Sequence, residues 1–145
     1  MANKFRTTVR VEGLQDALRK LRKVSDRGTS EKVLKGAIRD GGEIVRERAS
    51  QLAPVGTEPL SGRSVRLRDG LRVRTAGRAG FFTDSDGVWI QVAPLKEVSH
   101  ANLQEFGTKN HAAQPFMRPA YDQTEGKVIA TVRGKIADAI KKATR

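Results

Sequence analysis

Cysteine is absent from the chain, and with it go disulfides, thiolate metal sites and a cysteine nucleophile. The absence fits a reducing compartment. Histidine is scarce: His100 and His111 have no second ligand pair at helical spacing beside them, so no metal is expected. Aromatic residues make up 5% of the chain, too few for the base-stacking platform of a single-strand binder. No apolar run approaches the roughly 18–20 residues needed to span a bilayer. The first six residues, Met1-Ala2-Asn3-Lys4-Phe5-Arg6, lack the apolar core of a signal peptide. A soluble, unprocessed protein with no membrane partner is the expectation.

Catalytic patterns are equally thin. Ser99, His100 and Glu105 can be drawn as a hydrolase constellation, but they lie too close in sequence, and no nucleophile-elbow glycine pattern accompanies them. Asp84-Ser85-Asp86-Gly87 begins like a calcium loop, yet its glycine is misplaced and no glutamate follows at the twelfth position, so it reads as a reverse turn. No Gly-Lys-Ser/Thr phosphate loop occurs. The expectation is no catalytic residue, no cofactor and no enzyme activity.

Acidic residues are the remaining shortage. Against 28 Lys and Arg stand 16 Asp and Glu, a net charge of +12. Such an excess points to a polyanionic partner without choosing among nucleic acid, an acidic protein surface and anionic lipid. Two places could carry such contacts. Arg19, Lys20, Arg22 and Lys23 share the polar face of a short helix, where the plain reading is a solvated surface. Gly77-Arg78-Ala79-Gly80 matches the GxxG loop that holds a nucleic-acid backbone in KH domains, but that loop joins helices, whereas Arg78 lies among predicted strands.

What is present is a sequence of periodic segments. A chain of 145 residues is a prior for one domain, large enough to bury roughly 68–70% of its unfolded surface. Phe5, Thr7, Val9 and Val11 alternate as a half-buried strand. Leu14, Ala17, Leu18 and Leu21 then mark a short amphipathic helix to about Val24. Ser25 to Thr29 reads as a linker, with Thr29 or Ser30 capping the longest helix, which Pro54 stops at Ala53. Gly41-Gly42 in its middle requires close packing or a bend.

Residues 55–66 carry Gly56, Pro59 and Gly62 and no hydrophobic period, as a long surface loop does. Leu67, Leu71 and Val73 predict a strand, 75–80 a turn, and Phe81-Phe82 and Val88 to Val92 a hairpin around 84–87. Trp89, Phe81 and Phe82 are expected in the core, and Pro94 and Leu95 outside the strand. Val98 to Phe106 reads as a short helix. The last helix is expected from Pro119 to about Lys142, with Ile129, Val132, Ile136 and Ile140 as its apolar stripe and Gly134 as a weak point. The fold class is α+β: a small antiparallel sheet packed with a long central helix, a short N-terminal helix and a C-terminal helix, in one domain over 1–145.

The stretch Glu105-Phe106-Gly107-Thr108-Lys109-Asn110-His111-Ala112-Ala113-Gln114-Pro115-Phe116-Met117-Arg118-Pro119-Ala120 stands apart. Pro115 biases Gln114 to an extended conformation, Gly107 suits a positive φ, and Phe106, Phe116 and Met117 supply anchors to the core. Glu105 is expected to pair with an Arg or Lys of its own or a neighbouring subunit.

Glu-Phe-Gly-Thr followed by Gln-Pro-Phe-Met-Arg-Pro-Ala resembles the signature of the gene-product-ten family of lambdoid long-tailed bacteriophages, neck or tail-completion proteins of the head-to-tail junction. Ala53-Pro54-Val55 and the Leu67 to Val73 segment look like two further family blocks, with Gly70 in place of an expected Ser and His100-Ala101 in place of a Tyr-Ala pair. The resemblance implies a non-enzymatic virion protein, made in the host cytoplasm and assembling as a six- or twelve-fold homo-oligomeric ring. Its neighbours would be head-closure and tail-terminator or tail-tube proteins, with genomic DNA in the channel as a further partner. On this reading Glu105, Phe106, Gly107, Thr108, Gln114, Pro115, Phe116, Arg118 and Pro119 form the motif and interface region. The loops at 55–66, 77–80 and 107–115 would then supply contacts. A small basic nucleic-acid-binding protein is the alternative.

Overall fold

The computed structural model describes residues 7–10, 14–55, 65–75, 89–98 and 100–145. Among them β1 (Thr7–Arg10), β2 (Leu71–Thr75) and β3 (Trp89–Pro94) form an antiparallel sheet in the order β1-β3-β2. Thr7 lies opposite Val92, and Val92 opposite Val73. The two-residue period of a strand sends Leu71 and Val92 into the core and leaves Arg72 and Arg74 exposed on the other face. Four helices complete the α+β fold: α1 (Leu14–Val24), α2 (Arg27–Leu52), α3 (Ala101–Phe106) and α4 (Met117–Ala143).

α1 has the limits its leucine spacing predicts. α2 starts earlier than expected, because the cap is Asp26 rather than Thr29 or Ser30. The Asp26 carboxylate accepts the Thr29 backbone N–H at 3.0 Å and the Thr29 hydroxyl at 2.5 Å. The linker shrinks to Ser25 and Asp26. Ser30 is buried instead, its hydroxyl 2.7 Å from that of Ser25. The helix runs unbroken through Gly41 and Gly42, both buried, and ends where Ala53 caps it ahead of Pro54.

α2 and α4 lie side by side and antiparallel. Lys135 pairs with Asp40, and eight residues further along α2 the Arg48 Nε donates to Gln123 Oε1 at 2.7 Å. Leu34, Ile38, Val45 and Ala49 of α2 face Val128, Val132 and Ile136 of α4 within one core that also holds Leu71, Val92, Phe116 and Met117. The buried stripe of α4 is Thr124, Val128, Val132 and Ile136: Val132 and Ile136 lie on it as expected, and it runs on through Val128 and Thr124 rather than through Ile129. Ile129 and Ile140 flank it half-buried.

Three further expectations change. Leu67 is buried from a 3-10 turn, Leu67–Asp69, and the strand begins only at Leu71. The Gly70 N–H turns back to Arg66 O at 3.0 Å, and Val98 packs over Gly70 so closely that a Cβ there would come within 2.1 Å of a Val98 methyl. That contact accounts for glycine at a position where serine was expected. Pro94 is the last residue of β3, opposite Leu71, an end position a proline tolerates. α4 begins at Met117, placing Pro119 third in the helix. The expected features at 56–64, at 77–80 with Arg78, at Phe81-Phe82 and at 84–87 lie outside the described residues, as does the side chain of Trp89.

Candidate interaction surface at the start of the last helix

Nothing next to α4 in sequence can cap it. The N-cap position is Phe116, whose side chain has no acceptor, so the first amide groups of the helix need a partner from elsewhere. Glu105 supplies it from the end of α3. One of its carboxylate oxygens accepts the N–H groups of Phe116 at 2.7 Å and Met117 at 3.0 Å, and the other accepts that of Arg118 at 3.2 Å. The next residue is Pro119, which has no N–H, and the Ala120 N–H returns to Phe116 O at 3.2 Å to begin the helical ladder. Every amide of the first turn is accounted for.

The expected pairing of Glu105 with an arginine or lysine is therefore replaced by three backbone donors. The carboxylate is only 6% exposed, so it cannot itself be a contact. Its negative charge sits at the positive end of the α4 dipole and offsets the desolvation of the group. The sequence carried one signal for this arrangement: a helix start with no Ser, Thr, Asp or Asn at the cap.

Between the two ends of this clip the chain makes a strap. Gly107 closes α3 with φ 74°, and a Cβ there would lie 2.7 Å from Ala113 N and 2.9 Å from His111 O, so only glycine fits. Thr108 and His111 form an isolated antiparallel bridge, the Thr108 N–H donating to His111 O at 2.8 Å. The strap is tied back at its far end by Gln114, whose N–H donates to Gln104 O at 2.7 Å. All residues from Thr108 to Pro115 are exposed.

The anchors divide unequally. Phe116 and Met117 are fully buried, as expected, whereas Phe106 is 69% exposed and does not anchor the strap. It stands beside Leu103, 54% exposed, on the outer side of α3. Arg118 is exposed and Pro119 half-buried in the first turn of α4. The motif residues are thus gathered at one end of the helix pair, Glu105 and Phe116 inside it and Phe106, Thr108, Gln114, Pro115 and Arg118 on its surface. Arg19, Lys20, Arg22 and Lys23 are exposed on α1, away from this end. The exposure of Leu103 and the Gln104 tether had not been expected from the sequence.

The model of the HK97-gp10-like family, described as "Bacteriophage HK97-gp10, putative tail-component", matches residues 15–107. The chain belongs to this family. The HK97-gp10-like match runs from α1 to the glycine that closes α3, and so includes Glu105-Phe106-Gly107 but not the strap or α4. Membership places the chain among bacteriophage tail components and hence with virion proteins. No curated protein and no solved structure matches it. Among the described residues no helix is long and apolar enough to cross a membrane, and no group of three or more His, Asp or Glu could hold a metal ion.

Proposed function

We propose that the protein is a structural component of the head-to-tail junction, a neck or tail-completion protein that assembles as a closed ring joining the DNA-filled head to the tail. The observation that carries this reading is the strap. Eight consecutive exposed residues are held at both ends by main-chain hydrogen bonds and flanked by exposed Phe106 and Leu103. An irregular segment fixed in this way presents shape and apolar area to another protein without having to fold on contact. A ring closes when one such patch meets a different patch on the next subunit, repeated around an axis. The remaining partners are the head-closure protein on one side and the tail-terminator or tail-tube protein on the other. The role is structural rather than catalytic, in keeping with a family of tail components.

Deleting the gene from the phage that encodes it tests this directly. Electron microscopy of lysates should show filled heads lying beside unattached tails. Supplying the gene in trans should restore joined particles, and supplying Phe106→Ser should restore far fewer while the purified variant unfolds at the same urea concentration as the wild type. Phe106 is the informative position, because Glu105→Ala disturbs folding as well as assembly. Normal infectious particles from the deletion would end the junction reading.

A further inference from the structure

The charge of the molecule is concentrated at the end opposite the strap. α1, the first half of α2 (27–39) and the end of α4 (133–145) contain thirteen Lys and Arg against three Asp and Glu, a net of +10 out of the chain's +12. The fold brings these three segments together. α2 and α4 are antiparallel, with Asp40 against Lys135, so the last residues of α4 run beside the first turns of α2. α1 joins α2 through Ser25 and Asp26 and packs against α4. Lys20, Lys23, Lys32, Arg39, Lys141 and Lys142 are all exposed there. The exposed large apolar residues among those described, Val55, Leu103 and Phe106, all belong to the far end.

Helix electrostatics do not account for the cluster. The α4 dipole favours Lys141 and Lys142 at its C-terminus, but behind its Asp26 cap α2 opens with Arg27, has no acidic residue in its first turn, and carries Lys32 close behind. Arg27 and Lys32 thus add positive charge near the positive end of the dipole, which the single Asp26 carboxylate caps. Pairings with acids here include Asp16 with Arg19 and Asp40 with Lys135.

We infer that this cationic end binds the phosphate backbone of duplex DNA without regard to sequence. Protein interfaces are built on aromatic and aliphatic anchors and are depleted in lysine, whereas this surface is rich in lysine and shows no large exposed apolar side chain among its described residues. Backbone binding needs only cations placed to displace condensed counterions. A single strand would call for stacking aromatics, and none is exposed among the described residues of this end. The inference goes beyond the junction reading and is tested apart from it, on purified protein without particles.

Fluorescence anisotropy with a short labelled duplex of arbitrary sequence provides the test. Wild type should bind at about 50 mM salt and lose affinity steeply towards about 200 mM, by roughly 0.9 log unit per log unit of salt for each phosphate contact. The combined variant Lys20→Gln, Lys23→Gln, Lys141→Gln and Lys142→Gln should bind at least about tenfold more weakly, with a slope reduced by up to about 3.6. A second variant with Arg66, Arg72, Arg74 and Lys96 changed to Gln loses the same charge elsewhere and should stay within about threefold of wild type. Circular dichroism confirms that both variants are folded. The inference is overturned if wild type fails to bind at low salt, or if the two variants weaken binding equally. It is likewise overturned if polyglutamate of equal total charge displaces the protein as readily as unlabelled duplex, since an acidic protein would then be the partner.

Discussion

Glu105 decides the local structure more than any other side chain. It is the one group that satisfies the first amides of α4 and, in doing so, fixes where α3 ends relative to that helix. Replacing it with Gln keeps the shape but removes the charge and turns an NH2 towards an N–H. Glu105→Gln should cost about 2 kcal/mol and Glu105→Ala about 4 kcal/mol, since the latter leaves several buried donors without a partner. Urea unfolding at neutral pH measures both. Glu97, exposed at the turn before α3, is the control, and Glu97→Gln should change stability by less than about 0.5 kcal/mol. The role of Glu105 was not legible in the sequence, because its donors lie eleven to thirteen residues away and no local spacing links them. Gly107 was legible, since its neighbours demanded a positive φ at a helix end. Gly70 was not: its reason is the side chain of Val98, which meets it only in the folded chain.

The helices follow their hydrophobic period closely, and so their existence and most of their limits could be read in advance. The errors fall at the ends. α2 starts at Arg27 because aspartate at position 26 outcompetes Thr29 and Ser30 for the cap, and Thr29 becomes the donor to it. Those hydrogen bonds, first from the Thr29 hydroxyl and then from its amide, hold the Asp26 carboxyl below the usual carboxylate range. A carboxyl whose folded-state value is lowered adds stability above its unfolded value, about 4, and loses it as the pH falls through the folded value. Asp26→Asn keeps a capping oxygen without a titrating group. The stability difference between wild type and Asp26→Asn should therefore shift against wild type between about pH 5 and pH 2, as read by urea unfolding across that range. The expected α4 stripe holds at Val132 and Ile136 but continues through Val128 and Thr124, because a threonine whose hydroxyl bonds back to Ala120 O at 2.7 Å is acceptable inside.

At the scale of the whole molecule the antiparallel pairing of α2 and α4 sorts the chain into two unlike ends. One carries the Glu105 clip, the strap and exposed Phe106, and the other carries most of the net charge. No linear reading could show this, because Lys141 and Lys142 are more than a hundred residues from Lys32 in sequence and join it only through the helix packing. Crowding like charge at one end opposes folding at low ionic strength, and salt screens it. The midpoint of thermal unfolding should rise between about 20 and 200 mM salt, and should rise less for the variant with Lys20, Lys23, Lys141 and Lys142 changed to Gln. Equal rises in both would show that the repulsion is spread over the molecule.

In the proposed assembly, the clip would also bear on how fast subunits can join. A surface segment that wanders must be caught in the right shape before a neighbouring subunit can seat, and most encounters are then wasted. With Gly107, the Thr108–His111 bridge and the Gln114 tether already holding the strap in the single chain, an assembly of the proposed kind would need no reshaping of this segment, and association would be limited by orientation. Loosening the clip would then slow the joining of subunits even where the finished assembly is just as durable.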